Sequence, residues 1–308
     1  EGCHLFKDRH SVLADAKDRL AEAIAAAERA DVVVLCLGLD ATIEGEEGDA
    51  GNEFGSGDKK DLNLPGIQQE LLEKVHATGK PVVLVLLAGS ALAVTWADEH
   101  VPAIIQAWYP GADGGKAIAS LIFGEYSPSG RLPVTFYRTT EELPDFTDYS
   151  MTNRTYRYME TEPLYPFGYG LSYTKFEYAA VEGAPTELAA GESAEFAVRV
   201  KNVGDFDSEE TVQLYVKDVE ASVRVPRWQL RGFRKIFLKK GEETVVRFTV
   251  TPRDLALIDE EGRCVLEPGA FEVYIGGSQP DARSLALTGT PVVRYAFEVT
   301  GGRMDVPH

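Results

Sequence analysis

Two kinds of hydrophobic pattern divide the chain. Up to about residue 126, short unbroken apolar runs alternate with segments of helical spacing. The unbroken runs are Val32-Val33-Val34-Leu35-Cys36-Leu37 and Val82-Val83-Leu84-Val85-Leu86-Leu87, and Ala103-Ile104-Ile105-Gln106-Ala107-Trp108 reads as a third strand. Continuous apolar runs of this length read as strands buried on both faces. The alanine-rich stretch 12–30 has apolar residues at helical spacing and reads as one amphipathic helix. A second helix is opened by Pro65 and closed by Gly79. Shorter ones are expected around Val94–Glu99 and through Ala117–Ile122. Strand–helix alternation of this kind predicts an α/β sandwich, a largely parallel sheet with helices on both faces.

From about Phe176 the period changes to two. Glu195-Phe196-Ala197-Val198-Arg199-Val200, Val212-Gln213-Leu214-Tyr215-Val216, Thr244–Val250 and Ala270–Ile275 alternate, with turn signals at Gly191, Gly204, Gly241 and Pro268-Gly269. This predicts an all-β sandwich of the fibronectin III or immunoglobulin-like kind. Between the two textures, residues 127–175 are rich in proline, tyrosine and glycine and have little period. A segment so long and irregular is expected to be functional or packed on another surface. The expected division is therefore 1–126 α/β, 127–175 connecting segment, 176–300 β-sandwich, and a polar tail 301–308 that frays.

Composition narrows the function. The 308 residues suffice for two ordinary domains, and 44% hydrophobic with 26% charged residues is a globular composition. A formal net charge of −18 argues against nucleic acid or an anionic membrane surface as partner and favours a neutral or cationic ligand. The three cysteines, Cys3, Cys36 and Cys264, are widely spaced and odd in number, so neither a disulfide framework nor a CxxC metal site is expected. Cys36 lies in an apolar run and reads as a small core residue. This usage fits a reducing compartment such as the cytoplasm. The apolar runs are of strand length, too short to span a bilayer. The start Glu1-Gly2-Cys3 lacks a methionine and reads as cut from something longer.

The candidate chemistry sits in the loop from Asp40 to Asp58. It is acidic and glycine-rich and follows the first apolar strand, where an open α/β sheet places ligand chemistry. It carries Glu44, Glu46, Glu47, Asp49, Glu53 and Asp58. Residue types alone leave three readings: a solvated surface loop, a calcium loop, or a carboxylate acting as general acid/base with glycines around it. The spacing of an EF-hand is absent. The five histidines pair with no nucleophile in sequence, and neither GxGxxG nor GxxxxGK[ST] occurs, so catalytic triads and nucleotide sites are unsupported. Gly111–Gly115 reads as a tight strand-to-helix turn. Trp108, Tyr109, Tyr156, Tyr158, Tyr165 and Tyr169 read mainly as packing residues, with sugar stacking the functional alternative for one or two.

Four ordered segments carry a family resemblance. They are Gly38-Leu39-Asp40…Glu44-Gly45-Glu46…Asp58 with Leu64-Pro65-Gly66, Trp108-Tyr109-Pro110-Gly111…Gly114-Gly115, Pro128–Phe136, and Arg154–Tyr158 with Tyr165–Thr174. Together they resemble the C-terminal half of glycoside hydrolase family 3, the β-glucosidase and β-xylosidase group. The resemblance implies an α/β sandwich and a fibronectin III-like domain, and a catalytic (β/α)8 barrel that this chain lacks. It implies a retaining mechanism on a β-linked glycoside, which needs two carboxyls roughly 5 Å apart and no cofactor or metal. The nucleophile would lie on the barrel. The acid/base would follow the first strand, and Thr42-Ile43-Glu44-Gly45 matches best, making Glu44 the expected residue with Glu46 and Glu47 as runners-up. Terminal β-linked sugars would be the substrate, β-glucosidase being preferred to β-xylosidase. A barrel on a second polypeptide or segment would be the partner, with an oligomer conceivable. A carbohydrate-binding or interaction module without catalysis is the alternative.

Overall fold

The computed structural model describes Cys3 and residues 19–40, 43–44 and 59–307. They fall into two compact units, Glu1–Ile122 with Phe136–Leu143, and Phe123–Thr135 with Pro144–His308.

The first unit is α/β. Its elements are α1 (Leu20–Arg29), β1 (Val33–Gly38), α2 (Gln68–His76), β2 (Val82–Leu87), α3 (Thr95–His100), β3 (Ala103–Gln106) and α4 (Gly114–Ile122). The three strands are parallel in the order β1-β2-β3, with Val33 opposite Val82 and Val83 opposite Ala103. Central β2 is sealed at Val82, Leu84, Val85 and Leu86, as its unbroken apolar sequence demands. Helix α2 buries Leu71, Leu72 and Val75 and turns Lys74 and Glu70 outward as an i,i+4 pair. Gly79 then closes the helical turn in the left-handed region.

Strand β1 departs from the expectation of burial on both faces. Leu37 is buried, but Val32 and Val34 are about half exposed and Cys36 is exposed. Cys36 is thus not the core residue its apolar neighbours suggest. Among the described residues β1 pairs with β2 alone, and side-chain alternation turns Val34 and Cys36 to a face that is not covered. Of the helix expected over 12–30, Leu20–Arg29 is present; 12–18 lie outside the described residues.

The second unit is a β-sandwich. Its elements are α5 (Thr155–Tyr158), β4 (Phe176–Ala180), β5 (Glu187–Ala189), β6 (Ala194–Asn202), β7 (Ser208–Asp218), β8 (Gln229–Leu238), β9 (Glu243–Val250), α6 (Pro252–Leu255), β10 (Leu257–Ile258), β11 (Cys264–Leu266), β12 (Gly269–Gly276), α7 (Ala282–Thr288), β13 (Val293–Thr300) and β14 (Met304–Asp305). A five-stranded sheet, β5-β13-β12-β7-β8, faces a three-stranded one, β4-β6-β9. Alternation puts Phe196, Val198 and Val200 of β6 and Val246, Phe248 and Val250 of β9 into one core with Val212, Leu214, Phe271, Val273 and Ile275. Each such side chain contributes roughly 1.5–3 kcal/mol on burial. The tail departs from the fraying expected of it: β14 pairs with β11, and Val306 is buried.

Strand β7 is buried on both faces from Val212 to Val216. The outer face is covered by the irregular segment. Gly168 N–H donates to Leu132 O (2.7 Å), Leu132 N–H donates to Tyr169 O (2.9 Å), and Gln213 Nε2 donates to Gly168 O (3.0 Å). Gly168 has φ +77°, and a Cβ there would stand 2.3 Å from Gln213 Oε1 and 2.6 Å from the Tyr215 hydroxyl. Only glycine fits so close an approach. Tyr156 stacks on Phe167 at 4.1 Å over the same face. Arg131 and Glu210, both buried, form an ion pair of 2.7 Å beside it.

Candidate active site

Glu44 follows the end of β1 by a tight turn. Ile43 N–H and Glu44 N–H both donate to Asp40 O, at 3.0 and 3.1 Å, and the Ile43 side chain is fully buried. Upstream, Gly38 is fixed by Gln68, which accepts from Gly38 N–H (2.7 Å) and donates to Gly38 O (2.9 Å). At φ +138° Gly38 admits no side chain, since a Cβ would lie 2.0 Å from Leu87 O. The backbone leading into the loop is therefore rigid at its root.

The Glu44 carboxylate is partly exposed and held at both oxygens. Ser90 Oγ donates to Oε1 at 2.7 Å, and the Tyr109 hydroxyl donates to Oε2. Ser90 follows β2 and Tyr109 follows β3, so the carboxyl ends of three parallel strands each send one residue to the same point. An open α/β sheet binds ligands at that end. Trp108, beside Tyr109, has φ +55° although it is not glycine, and its ring packs edge-on against Phe136 at 6.3 Å. Backbone strain of this kind persists where the surroundings over-determine it. Burial, then the bond to Glu44, pushes the Tyr109 hydroxyl up to about 12, so it stays a donor throughout the neutral range.

Lys59 lies within electrostatic reach of Glu44. Its Nζ is buried without a hydrogen-bond partner. Burial lowers its affinity for the proton, while Asp61 and Glu44 work against that loss. Neither Lys59 nor Ser90 is marked by the sequence reading. Ser90 carries a weak signal, a Gly-Ser pair ending an apolar strand; Lys59 carries none. Glu46, Glu47, Asp49, Glu53 and Asp58 lie outside the described residues, and so does the calcium reading of that loop. Among the described residues no group of three or more His, Cys, Asp or Glu side chains could hold a metal ion, and no helix is long and apolar enough to cross a membrane.

The fold and site define an α/β domain with a carboxylate held at the carboxyl edge of its parallel sheet, followed by a β-sandwich. Residues 6–173 match the Glycosyl hydrolase family 3 C-terminal domain and residues 210–279 a Fibronectin type III-like domain. The chain belongs to glycosyl hydrolase family 3. It is 38% identical to a β-xylosidase of Formosa agariphila over 88% of this chain and 37% of that protein. It is 37% identical to a periplasmic β-glucosidase of Salmonella typhimurium, over 83% of this chain and 34% of that one. A solved β-glucosidase from Erythrobacter marinus superposes with a TM-score of 0.81 at 34% identity, covering 97% of this chain and 40% of that structure. The chain thus spans well under half the length of these relatives.

Proposed function

We propose that this chain is the acid/base-bearing part of a retaining exo-β-glycosidase, with Glu44 as the acid/base. One observation carries the reading: a partly exposed carboxylate, fixed by Ser90 and Tyr109, at the point where the carboxyl ends of three parallel strands converge. In the first half-reaction Glu44 gives a proton to the leaving oxygen. In the second, as a carboxylate, it takes one from the attacking water. A barrel on a further polypeptide or segment supplies the nucleophile, and the shortness of the chain against its relatives supports that partner.

The test is Glu44→Gln in the protein complemented by its barrel. Hydrolysis of disaccharides should fall by roughly 10²–10⁴-fold, the usual worth of general acid/base catalysis. Aryl glycosides with good leaving groups should lose much less in the glycosylation step. Equal loss on both, with the split appearing instead in Glu46→Gln or Glu47→Gln, would move the role to that residue. Relatives named for glucosides and for xylosides are both close, so β-xylosidase is the second reading; the ratio of kcat/KM on paired aryl glucosides and xylosides decides it. Failure of any barrel to confer turnover would favour a binding module.

A further inference from the structure

We infer that the loop 145–150 of the second unit is a platform for an unbranched, neutral sugar chain, gripped by the rings of Phe146 and Tyr149. The sequence of this loop is a tandem repeat. Asp145-Phe146-Thr147 is followed by Asp148-Tyr149-Ser150, an acid, an aromatic ring and a hydroxyl, twice over.

The two halves fold alike. Asp145 Oδ1 accepts from Thr147 N–H at 2.8 Å, and Asp148 Oδ1 accepts from Ser150 N–H at 2.8 Å. Each is an Asx turn, in which the aspartate side chain stands in for a backbone acceptor. Asp148 N–H donates to Asp145 O at 2.9 Å, so the second half begins where the first closes. Each turn leaves its ring in solvent: Phe146 is 87% exposed and Tyr149 85%. Large apolar side chains scattered singly over a surface are ordinary. These two share one repeated turn.

Hydrogen bonds fix the loop in this form. Arg154 clamps both halves: Nη2 donates to Asp145 O (2.6 Å) and Asp148 O (3.0 Å), and Nε donates to Asp148 O (3.2 Å). Beyond the repeat, Thr152 Oγ1 accepts from Ser150 Oγ (2.8 Å) and from Arg224 Nη1 (2.7 Å), and Asn153 Oδ1 accepts from Glu160 N–H (3.0 Å). Met151, Asn153 and Thr155 have φ of +61°, +57° and +55°. Such backbone is unfavourable, most of all for a β-branched threonine, and persists only where its surroundings over-determine it. The loop thus holds two rings in water. Groups held in place before binding lose little freedom on binding.

The chemistry selects the ligand. A ring face suits the C–H face of a pyranose, and a carboxylate accepts from its hydroxyls. An ionised carboxylate has about four acceptor sites, so each Asx turn leaves its aspartate capacity to spare. The Thr147 hydroxyl and then its N–H hold the Asp145 carboxyl below the ordinary range, and Ser150 N–H does the same for Asp148, so both are acceptors at neutral pH. These carboxylates and a formal net charge of −18 oppose an anionic ligand. Rings so exposed form no cage of the kind that desolvates a cation, whereas a stacking platform works from one side. Two equal turns in succession match a ligand built of equal units in succession, as a sugar chain is and a globular partner is not.

The test is calorimetric titration of the full chain with xylohexaose and with cellohexaose, with D-xylose and D-glucose as single-ring controls. No turnover is read, so the result is independent of the role given to Glu44. At least one hexaose should bind, and the monosaccharides should bind at least about tenfold more weakly. Phe146→Ala and Tyr149→Ala should each raise the dissociation constant at least about fivefold, while Tyr149→Phe, which keeps the ring, should stay within about twofold of the parent. Melting curves verify that the variants are folded. Failure of both hexaoses to bind the folded chain overturns the inference, as does binding that both alanine variants retain. A loss in Tyr149→Phe as large as in Tyr149→Ala overturns it too, since the ring would not be what grips. Sedimentation velocity is the second readout: self-association of the parent that both alanine variants abolish would make the rings an interface between copies and refute the sugar platform.

Discussion

The Tyr109 ring passes Gly89 on its way to Glu44. A Cβ at Gly89 would meet Tyr109 Cε2 at 2.8 Å and Glu44 Oε2 at 3.1 Å. Gly89→Ala should therefore displace the ring and uncouple the hydroxyl from the carboxylate. In the complemented enzyme we expect Tyr109→Phe and Gly89→Ala to lower kcat/KM by about tenfold each, some 1.4 kcal/mol of transition-state stabilisation. The double variant should lose little more than either, because one contact is removed twice. Additive losses would show that Gly89 acts elsewhere. The Tyr109 hydroxyl, pushed up to about 12 by burial and then by Glu44, gives a second readout. The tyrosinate absorbance missing in Tyr109→Phe should belong to the most alkaline part of the titration, and Glu44→Gln should bring it partway back toward 10.

At the scale of elements, β7 carries two groups whose burial can be read out. Asp218 ends the strand, and burial, with Glu267 and Glu220 nearby, raises its carboxyl from 3.8 to about 6. A raised folded value means the native state holds its proton longer than the unfolded chain does. The stabilisation is complete below about pH 3.8 and is lost as pH rises through 6. Because the side chain is partly exposed, solvent screening limits the effect to about 1 kcal/mol. Asp218→Asn should raise the melting temperature at pH 7.5 and leave it unchanged at pH 4; a gain at both would refute the account. Glu210, at the other end, is raised by burial and partnered by Arg131. Arg131→Met alone should cost about 3–5 kcal/mol in denaturant unfolding by stranding that carboxylate. Arg131→Met with Glu210→Leu should recover most of the loss, since a buried pair is worth little against apolar residues of similar volume.

For the whole molecule, the chain crosses between its two units more than once. Phe136–Leu143 returns to the first unit after Phe123–Thr135 has joined the second. The return segment supplies Arg138 O as acceptor for Thr95 Oγ1 (2.7 Å), Thr140 Oγ1 as acceptor for Leu62 N–H (2.9 Å), and Phe136 against Trp108. A fragment of residues 1–143 should accordingly hold the first unit more firmly than 1–126. Amide exchange at Leu62 is the measure, and equal protection in both fragments would contradict the assignment. The expected boundary after 126 rests on a change of local texture, and texture does not register a segment that comes back.

The sequence by itself determined the elements and their classes. Unbroken apolar runs meant parallel strands, strict alternation meant a sandwich, and the glycine- and proline-marked segments carried the family resemblance. These features are local: they depend on side-chain period and on the few residues that tolerate special backbone angles. Glu44 was singled out by the resemblance, through Thr42-Ile43-Glu44-Gly45, and not by residue type or place, which it shares with five other acids of the loop. Tertiary structure alone decided what is non-local. It joined Ser90 and Tyr109 to Glu44 across separations of 46 and 65 residues, left Val34 and Cys36 of β1 uncovered, and made β14 from a polar tail. No periodicity encodes such meetings, because they arise from how strands are ordered in space.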